Sequence, residues 1–187
     1  MENFSHYFTL ILSICTLLLD IAIVLVLIWW VCQWQRRKNN KELLFTNLWE
    51  WLIERSGKIA WFLAVIATLG SLTYSDIIGF EPCKLCWFQR IFMYPQVILL
   101  WAVWRNKLNQ LRWYSFTLAL IGLIIAKYHY IIQVGWLEAG ECGLVGYSAS
   151  CSQRFVLNLG YVTIPAMAAT VFAAIGILLL VSWWYKK

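Results

Sequence analysis

Cys83 and Cys86 stand two residues apart in the stretch FEPCKLCWFQR, residues 80–90, with Pro82 just before them and Arg90 four positions after the second. Thiols at this spacing serve haem attachment, zinc binding or thiol–disulfide exchange. Haem attachment needs a His directly after the second Cys, and Trp87 stands there. Zinc needs four converging ligands, usually from two closely spaced pairs. The other candidate pair, Cys142 and Cys151, has eight residues between its members. A static bridge between Cys83 and Cys86 closes a very small ring, which restricts the unfolded chain little. Exchange fits the siting better. A helix starting here puts Cys86 near its N-terminus, where partial positive charge favours a thiolate. Spacing alone leaves exchange, a structural bridge and a metal open.

Arg90 lies about one helical turn inside an apolar run. A charge at that depth is expensive and needs a partner or a job. One job is to hold an oxygen of a membrane-soluble electron acceptor; the plainer alternative is a side chain snorkelling to the headgroups. His129, near the end of a later run, can hydrogen-bond such an oxygen, relay a proton, or serve structure alone. Gln133 and Lys127 are weaker candidates. Asp20, mid-run, reads as a packing residue paired with a polar group.

The elements that must position these groups are membrane helices. Of 187 residues, 62% are hydrophobic, 13 are Trp and 13% are charged, against about 25% charged in soluble proteins. A spanning helix needs about 20 mostly apolar residues. Five runs qualify: Phe8–Val31, Ile59–Gly79, Trp87–Trp104, Trp113–Ile132 and Tyr161–Trp184. Each is expected to be helical, because lipid cannot satisfy free backbone groups. The first run lacks a basic leader and a small-residue cleavage site, and reads as a retained helix. Asn40–Ser56 carries Leu43, Leu44, Leu48, Trp51 and Leu52 at helical spacing, which predicts an amphipathic helix on the inner surface. Domain boundaries follow: an N-terminal helix over 1–34, a linker over 35–58 and a redox unit over 59–187.

The net charge of +6 is not a nucleic-acid footprint. Eleven of the fifteen Lys and Arg fall after run one, between runs three and four, and at the C-terminus. With alternating runs these places share one side, the positive-inside pattern. The N-terminus and both cysteine pairs are then expected outside, and the C-terminus inside. Outside is where disulfides persist. Cys15 and Cys32, within and at the inner end of the first run, read as small apolar residues.

The stretch GSLTYSDIIGFEPCKLCWFQRIFMYP, residues 70–95, resembles the disulfide bond formation protein B (DsbB) family, nearest to its BdbC-like branch. KYHYIIQ at 127–133 and LGYVTIPAMA at 159–168 are similar to that branch too. The likeness covers about residues 58–185. It implies an all-α integral membrane protein: a four-helix transmembrane bundle, here with one additional N-terminal transmembrane helix, in the bacterial cytoplasmic membrane. It implies disulfide pairs Cys83–Cys86 and Cys142–Cys151, with Arg90 at the quinone and His129 in a segment where the family commonly has a His. The partners it implies are a DsbA-like, thioredoxin-fold thiol oxidase and a membrane quinone, ubiquinone or menaquinone. Electrons then pass from the oxidase to Cys142–Cys151, next to Cys83–Cys86, and on to quinone, the route that keeps the bacterial periplasm oxidising. No metal is implied. Gln89 departs from the best-known branch, which carries an acid there; the second loop is short, and the first helix is an addition. The rivals are a vitamin-K-epoxide-reductase-like quinone enzyme and a non-enzymatic membrane protein with static loop disulfides.

Overall fold

In a computed structural model, residues 2–38, 46–106, 108–138 and 150–186 are described. The elements are α1 (Glu2–Lys38), α2 (Thr46–Leu72) running into a π-helical turn (Thr73–Ile77), α3 (Lys84–Asn106), α4 (Asn109–Val134) and α5 (Ile164–Lys186). Among the described residues four helices are long and apolar enough to cross a membrane: α1, α2 with its π turn, α4 and α5. The third expected run forms α3. Its 23 residues reach about 34 Å at 1.5 Å per residue, but Gln89, Arg90 and Gln96 make it more polar than the others.

Helices α2, α3, α4 and α5 form a closed ring of neighbours, α2 on α3, α3 on α4, α4 on α5 and α5 on α2, while α1 packs against α5 from outside. The arrangement is the expected four-helix bundle with one helix added. Its core is rich in small residues, with Ala60, Ala64, Ala119, Ala126 and Ala169 buried around Met93, Leu100, Phe172 and Ile175. Lipid tails are as apolar as these side chains, so close backbone approach and interhelical hydrogen bonds hold such bundles. Gln96 supplies one bond, donating to the Ser115 carbonyl at 3.0 Å. Arg112 supplies another, to Ser182 Oγ at 2.8 Å.

Three boundaries differ from expectation. The described part of the predicted surface helix is not separate: α2 runs unbroken from Thr46 through the second span. Ile53 is buried and, with Leu52, packs with Val181, Trp29 and Trp30, so this side of the stretch meets the other helices, while Trp51 stays exposed. Gly57, a weak helix former within α2, faces the α3 backbone at Trp104. Residues 39–45 lie outside the described set. Helix α5 starts at Ile164, three residues after the start of the apolar run, because Thr163 Oγ1 accepts the Ala166 N–H at 3.4 Å as an N-cap. Ahead of it, Asn158 and Val162 pair their backbones around Leu159–Gly160. Helix α4 stops at Gly135, φ 87°, whose N–H and that of Trp136 return to Ile132 and Ile131. Gly135 and Gly160, both at positive φ, therefore fix ordered turns at the edges of the second loop.

Gly122 in α4 makes room for the fully buried Phe172 ring, with which any added Cβ would collide. Gly122→Ala is expected to lower thermal stability in detergent by about 1–3 kcal/mol, the usual cost of overpacking. An unchanged unfolding midpoint would show that the α4–α5 contact is not close-packed there.

Candidate active site

The cysteine-bearing segments meet at one end of the bundle. Phe80, from the stretch between the π turn and α3, stacks on Tyr74 (5.8 Å) on one side and on Phe155, from the segment before α5, on the other (4.8 Å). This aromatic stack ties the two segments together. Gln133, from the last turn of α4, donates to the Gln153 carbonyl at 3.0 Å and fixes the second segment to the bundle.

Cys83 is the residue before α3, the N-cap position. Its Sγ accepts the Cys86 N–H at 3.3 Å and lies 3.0 Å from Cys86 Sγ. Both thiols are free. The helix start therefore serves Cys83, the first cysteine, and not Cys86 as the spacing suggests. A hydrogen bond from the Cys86 thiol holds the Cys83 thiol down, to about 4, against the opposing effect of burial and with help from His129. Cys83 is 3% exposed, so its charge is stabilised by these donors and not by water.

His129 is buried and lies between the two cysteine segments. Gln89 Nε2 stands 3.0 Å from its Nδ1. An amide N–H only donates, so Nδ1 accepts and the neutral ring carries its proton on Nε2. Nε2 in turn is 3.2 Å from the Cys151 carbonyl and 3.5 Å from Cys83 Sγ. Cys83 Sγ, the His129 nitrogen and Cys151 Sγ all lie within 4.8 Å of one another. Three such groups can seat zinc, but Cys151 is disulfide-bonded and has no thiolate to offer. The cluster instead sets a thiol beside a disulfide, the geometry of exchange. Cys142 lies outside the described residues.

Arg90 is half-buried one turn below Cys86. Its Nε donates to Ser71 Oγ at 3.0 Å and Nη2 to the Ser71 carbonyl at 3.1 Å, and its guanidinium lies 5.1 Å from the centre of the Trp87 ring. Ser71 precedes the π turn, a rare geometry that recurs at functional sites. Both hydrogen bonds hold the guanidinium inside the bundle, against a cavity of about 520 Å³ that Cys86, Gln89 and Arg90 line together. His129 is not among the residues that line it and lies between the sulfurs. Lys127 is exposed.

The sequence reading assigned no role to Gln89, Ser71, Phe80 or Phe155. Gln89 was legible as a polar residue three after Cys86, on the same helical face. Nothing in the sequence pairs Phe80 with Phe155.

This bundle, with its thiol pair beside a disulfide at one end, is that of a membrane disulfide oxidoreductase. The chain belongs to the disulfide bond formation protein DsbB family, whose model matches residues 54–182. It is 44% identical over 145 residues to "Probable disulfide formation protein C 1" of Bacillus anthracis, covering 76% of this chain and 92% of that protein. It is 43% identical over 118 residues to the "SPbeta prophage-derived disulfide bond formation protein B" of Bacillus subtilis, covering 63% and 78%. "Probable disulfide formation protein C" of Halalkalibacterium halodurans is 40% identical over 121 residues, 63% and 85%. No solved structure matches the chain significantly.

Because the Cys86 thiol is the largest cause of the low Cys83 value, Cys86→Ala is expected to return Cys83 toward the ordinary thiol range of about 8.5. Thiolate absorbance of the reduced protein, read as a difference against Cys83→Ala, measures this. With Cys86 present the Cys83 thiolate is expected to persist from neutral pH down to about 4 and to be lost below it. Equal titration with and without Cys86 would refute the donor assignment.

Proposed function

We propose that this protein reoxidises a DsbA-like, thioredoxin-fold thiol oxidase outside the bacterial cytoplasmic membrane and delivers the electrons to membrane quinone. The observation that carries the reading is the placement of Cys83, His129 and Cys151 within 4.8 Å of one another, at the end of a cavity that Cys86 and Arg90 line.

A partner thiolate attacks the proposed Cys142–Cys151 disulfide at Cys142, and Cys151 leaves as a thiolate. The partner's second thiol, losing its proton, resolves the mixed disulfide, so the partner is oxidised and Cys142 and Cys151 are reduced. Cys151 then attacks Cys83 Sγ of an oxidised Cys83–Cys86 pair, and Cys86 leaves. Cys142 attacks Cys151, restoring their bridge and expelling Cys83 as a thiolate. The expulsion is favoured because Cys83 is the better-stabilised thiolate, and a low leaving-group pKa speeds exchange. His129 Nε2–H, fixed by Gln89, faces the sulfur that gains charge.

The cavity fits a quinone: it is apolar, within the roughly 300–1,000 Å³ range of small-molecule sites, and carries a cationic donor and a thiol at one end. Quinone supplies the oxidising power for closing Cys83–Cys86, taking up two electrons and two protons. Arg90 would hold a ring oxygen and offset its negative charge; Cys86 borders the same space. Ubiquinone and menaquinone share this chemistry. We assign the N-terminus and both cysteine pairs to the outside and the C-terminus to the cytoplasm on the distribution of Lys and Arg.

Right-side-out membrane vesicles, given a reduced thioredoxin-fold oxidase outside and a soluble ubiquinone analogue, are expected to consume partner thiols; inverted vesicles are not. Arg90→Lys keeps the cation but loses the planar fork, and is expected to raise KM for quinone about ten-fold, the loss of one charge-assisted hydrogen bond. Thiol loss confined to inverted vesicles would reverse the topology. Unaltered quinone kinetics in Arg90→Lys would leave Arg90 as a membrane anchor.

A further inference from the structure

The helix added to the family core is built into the cavity. The family match begins at residue 54, so α1 lies wholly outside it. Yet one stripe of α1, Leu12, Cys15, Leu19 and Ala22, lines the same space as Cys86 and Arg90. The spacing of three, four and three residues is a single helical face.

A second stripe fixes that face. Thr9, Ser13, Thr16 and Asp20 run beside the first at spacings of four, three and four. Asp20 accepts hydrogen bonds from Tyr161 (3.0 Å) and Thr170 (2.7 Å) at the start of the fifth helix. Ser13 Oγ accepts from Asn158 Nδ2 at 3.1 Å, and Thr9 Oγ1 from the Tyr74 hydroxyl at 3.4 Å. Polar contacts of this kind fix the rotation and depth of a membrane helix, where apolar packing against lipid-like surfaces would leave both free. They explain Asp20. A helix serving only as an anchor needs no such register, and most of α1 faces away from the protein.

Arg90, Gln89, Ser71 and Glu81 give the cavity polar lining, with the hydroxyl-bearing Thr16, Tyr74 and Tyr94 beside them; the rest of its wall is apolar, mainly from α1, α2, α3 and α5. Leu12 to Ala22 spans about 15 Å of helix. We propose that α1 forms one wall of a subsite for the isoprenoid tail of the quinone, so that the tail runs inward between α1 and the four-helix bundle instead of passing directly into lipid. The proposal rests on the quinone reading. The occupant is a polyprenyl chain because the space is continuous with the end where a quinone ring fits, and a lipid acyl chain has no headgroup matched to Arg90, Gln89 and Cys86 together. α1 then makes affinity depend on the tail.

The test uses the purified full-length protein and binding, not turnover. A quinone carrying a photoreactive group on its tail is expected to label the α1 peptide containing Leu12–Ala22, and excess polyprenyl quinone is expected to displace it. Dissociation constants for a polyprenyl quinone and its tail-less ring analogue give a ratio. Leu19→Trp, which fills the inner end of the cavity, is expected to shift that ratio against the tail-bearing form by about ten-fold, as for the loss of about two buried methylenes. Ile21→Trp, on the exposed face of α1, is expected to leave the ratio unchanged. Label confined to other helices, label displaced by phospholipid but not by quinone, or an unchanged ratio in Leu19→Trp overturns the subsite while the ring site stands. Failure of the wild-type protein to bind either quinone overturns the quinone reading and the subsite with it.

Discussion

A single buried imidazole joins the two halves of the site. His129 takes a hydrogen bond from Gln89 of α3 on one nitrogen and faces the Cys151 carbonyl and the Cys83 sulfur with the other. A buried polar group must be satisfied or it costs a few kcal/mol. The ring therefore constrains three segments at once: α3 through Gln89, the N-cap of α3 through Cys83, and the segment before α5 through Cys151. The Phe80–Phe155 stack and the Gln133–Gln153 bond hold the same segments from either side. Disulfide exchange requires sulfurs to approach in line, and this set of contacts brings them near without a covalent tie between the segments described.

The division of labour between the two cysteines of the Cys-x-x-Cys pair follows from one feature, the start of α3. Cys83 caps it, accepts its N–H and carries the charge. Cys86 sits about a turn further into the helix and borders the cavity. One thiol is tuned as a leaving group toward Cys151, and the other is placed toward the membrane. Arg90, pinned to Ser71 on α2, stands on the cavity side, so its charge serves the space beside Cys86 more than the sulfur of Cys83.

Much of this was legible in the sequence. The apolar runs specified helices because lipid permits little else, and the motif around Cys83–Arg90 specified the family. What the sequence concealed depends on rotation about helix axes and on contacts between distant segments. Gln89 looked like a departure from a pattern until His129 was found opposite it. Asp20 had no visible partner, because Tyr161 and Thr170 lie some 140 residues away in the chain. The amphipathic stretch was ambiguous because an apolar face suits a headgroup layer and a bundle surface equally well; Leu52 and Ile53 turn to Val181, while Trp51 stays exposed. The N-cap role of Cys83 turned on a helix boundary, the least certain feature of a sequence reading.

The central claim is that electrons cross between Cys151 and Cys83. Removing the two resolving thiols in the double variant Cys86→Ala, Cys142→Ala leaves these sulfurs without competing partners in the site. Mild oxidation of that variant in detergent, followed by peptide mapping under non-reducing conditions, is the direct measurement. The account predicts a Cys83–Cys151 disulfide in most molecules, its yield reduced when His129 is also replaced by Ala. The parallel variant Cys83→Ala, Cys142→Ala should form no comparable Cys86–Cys151 bridge. A Cys86–Cys151 bridge forming as readily as Cys83–Cys151, or neither forming, would contradict it.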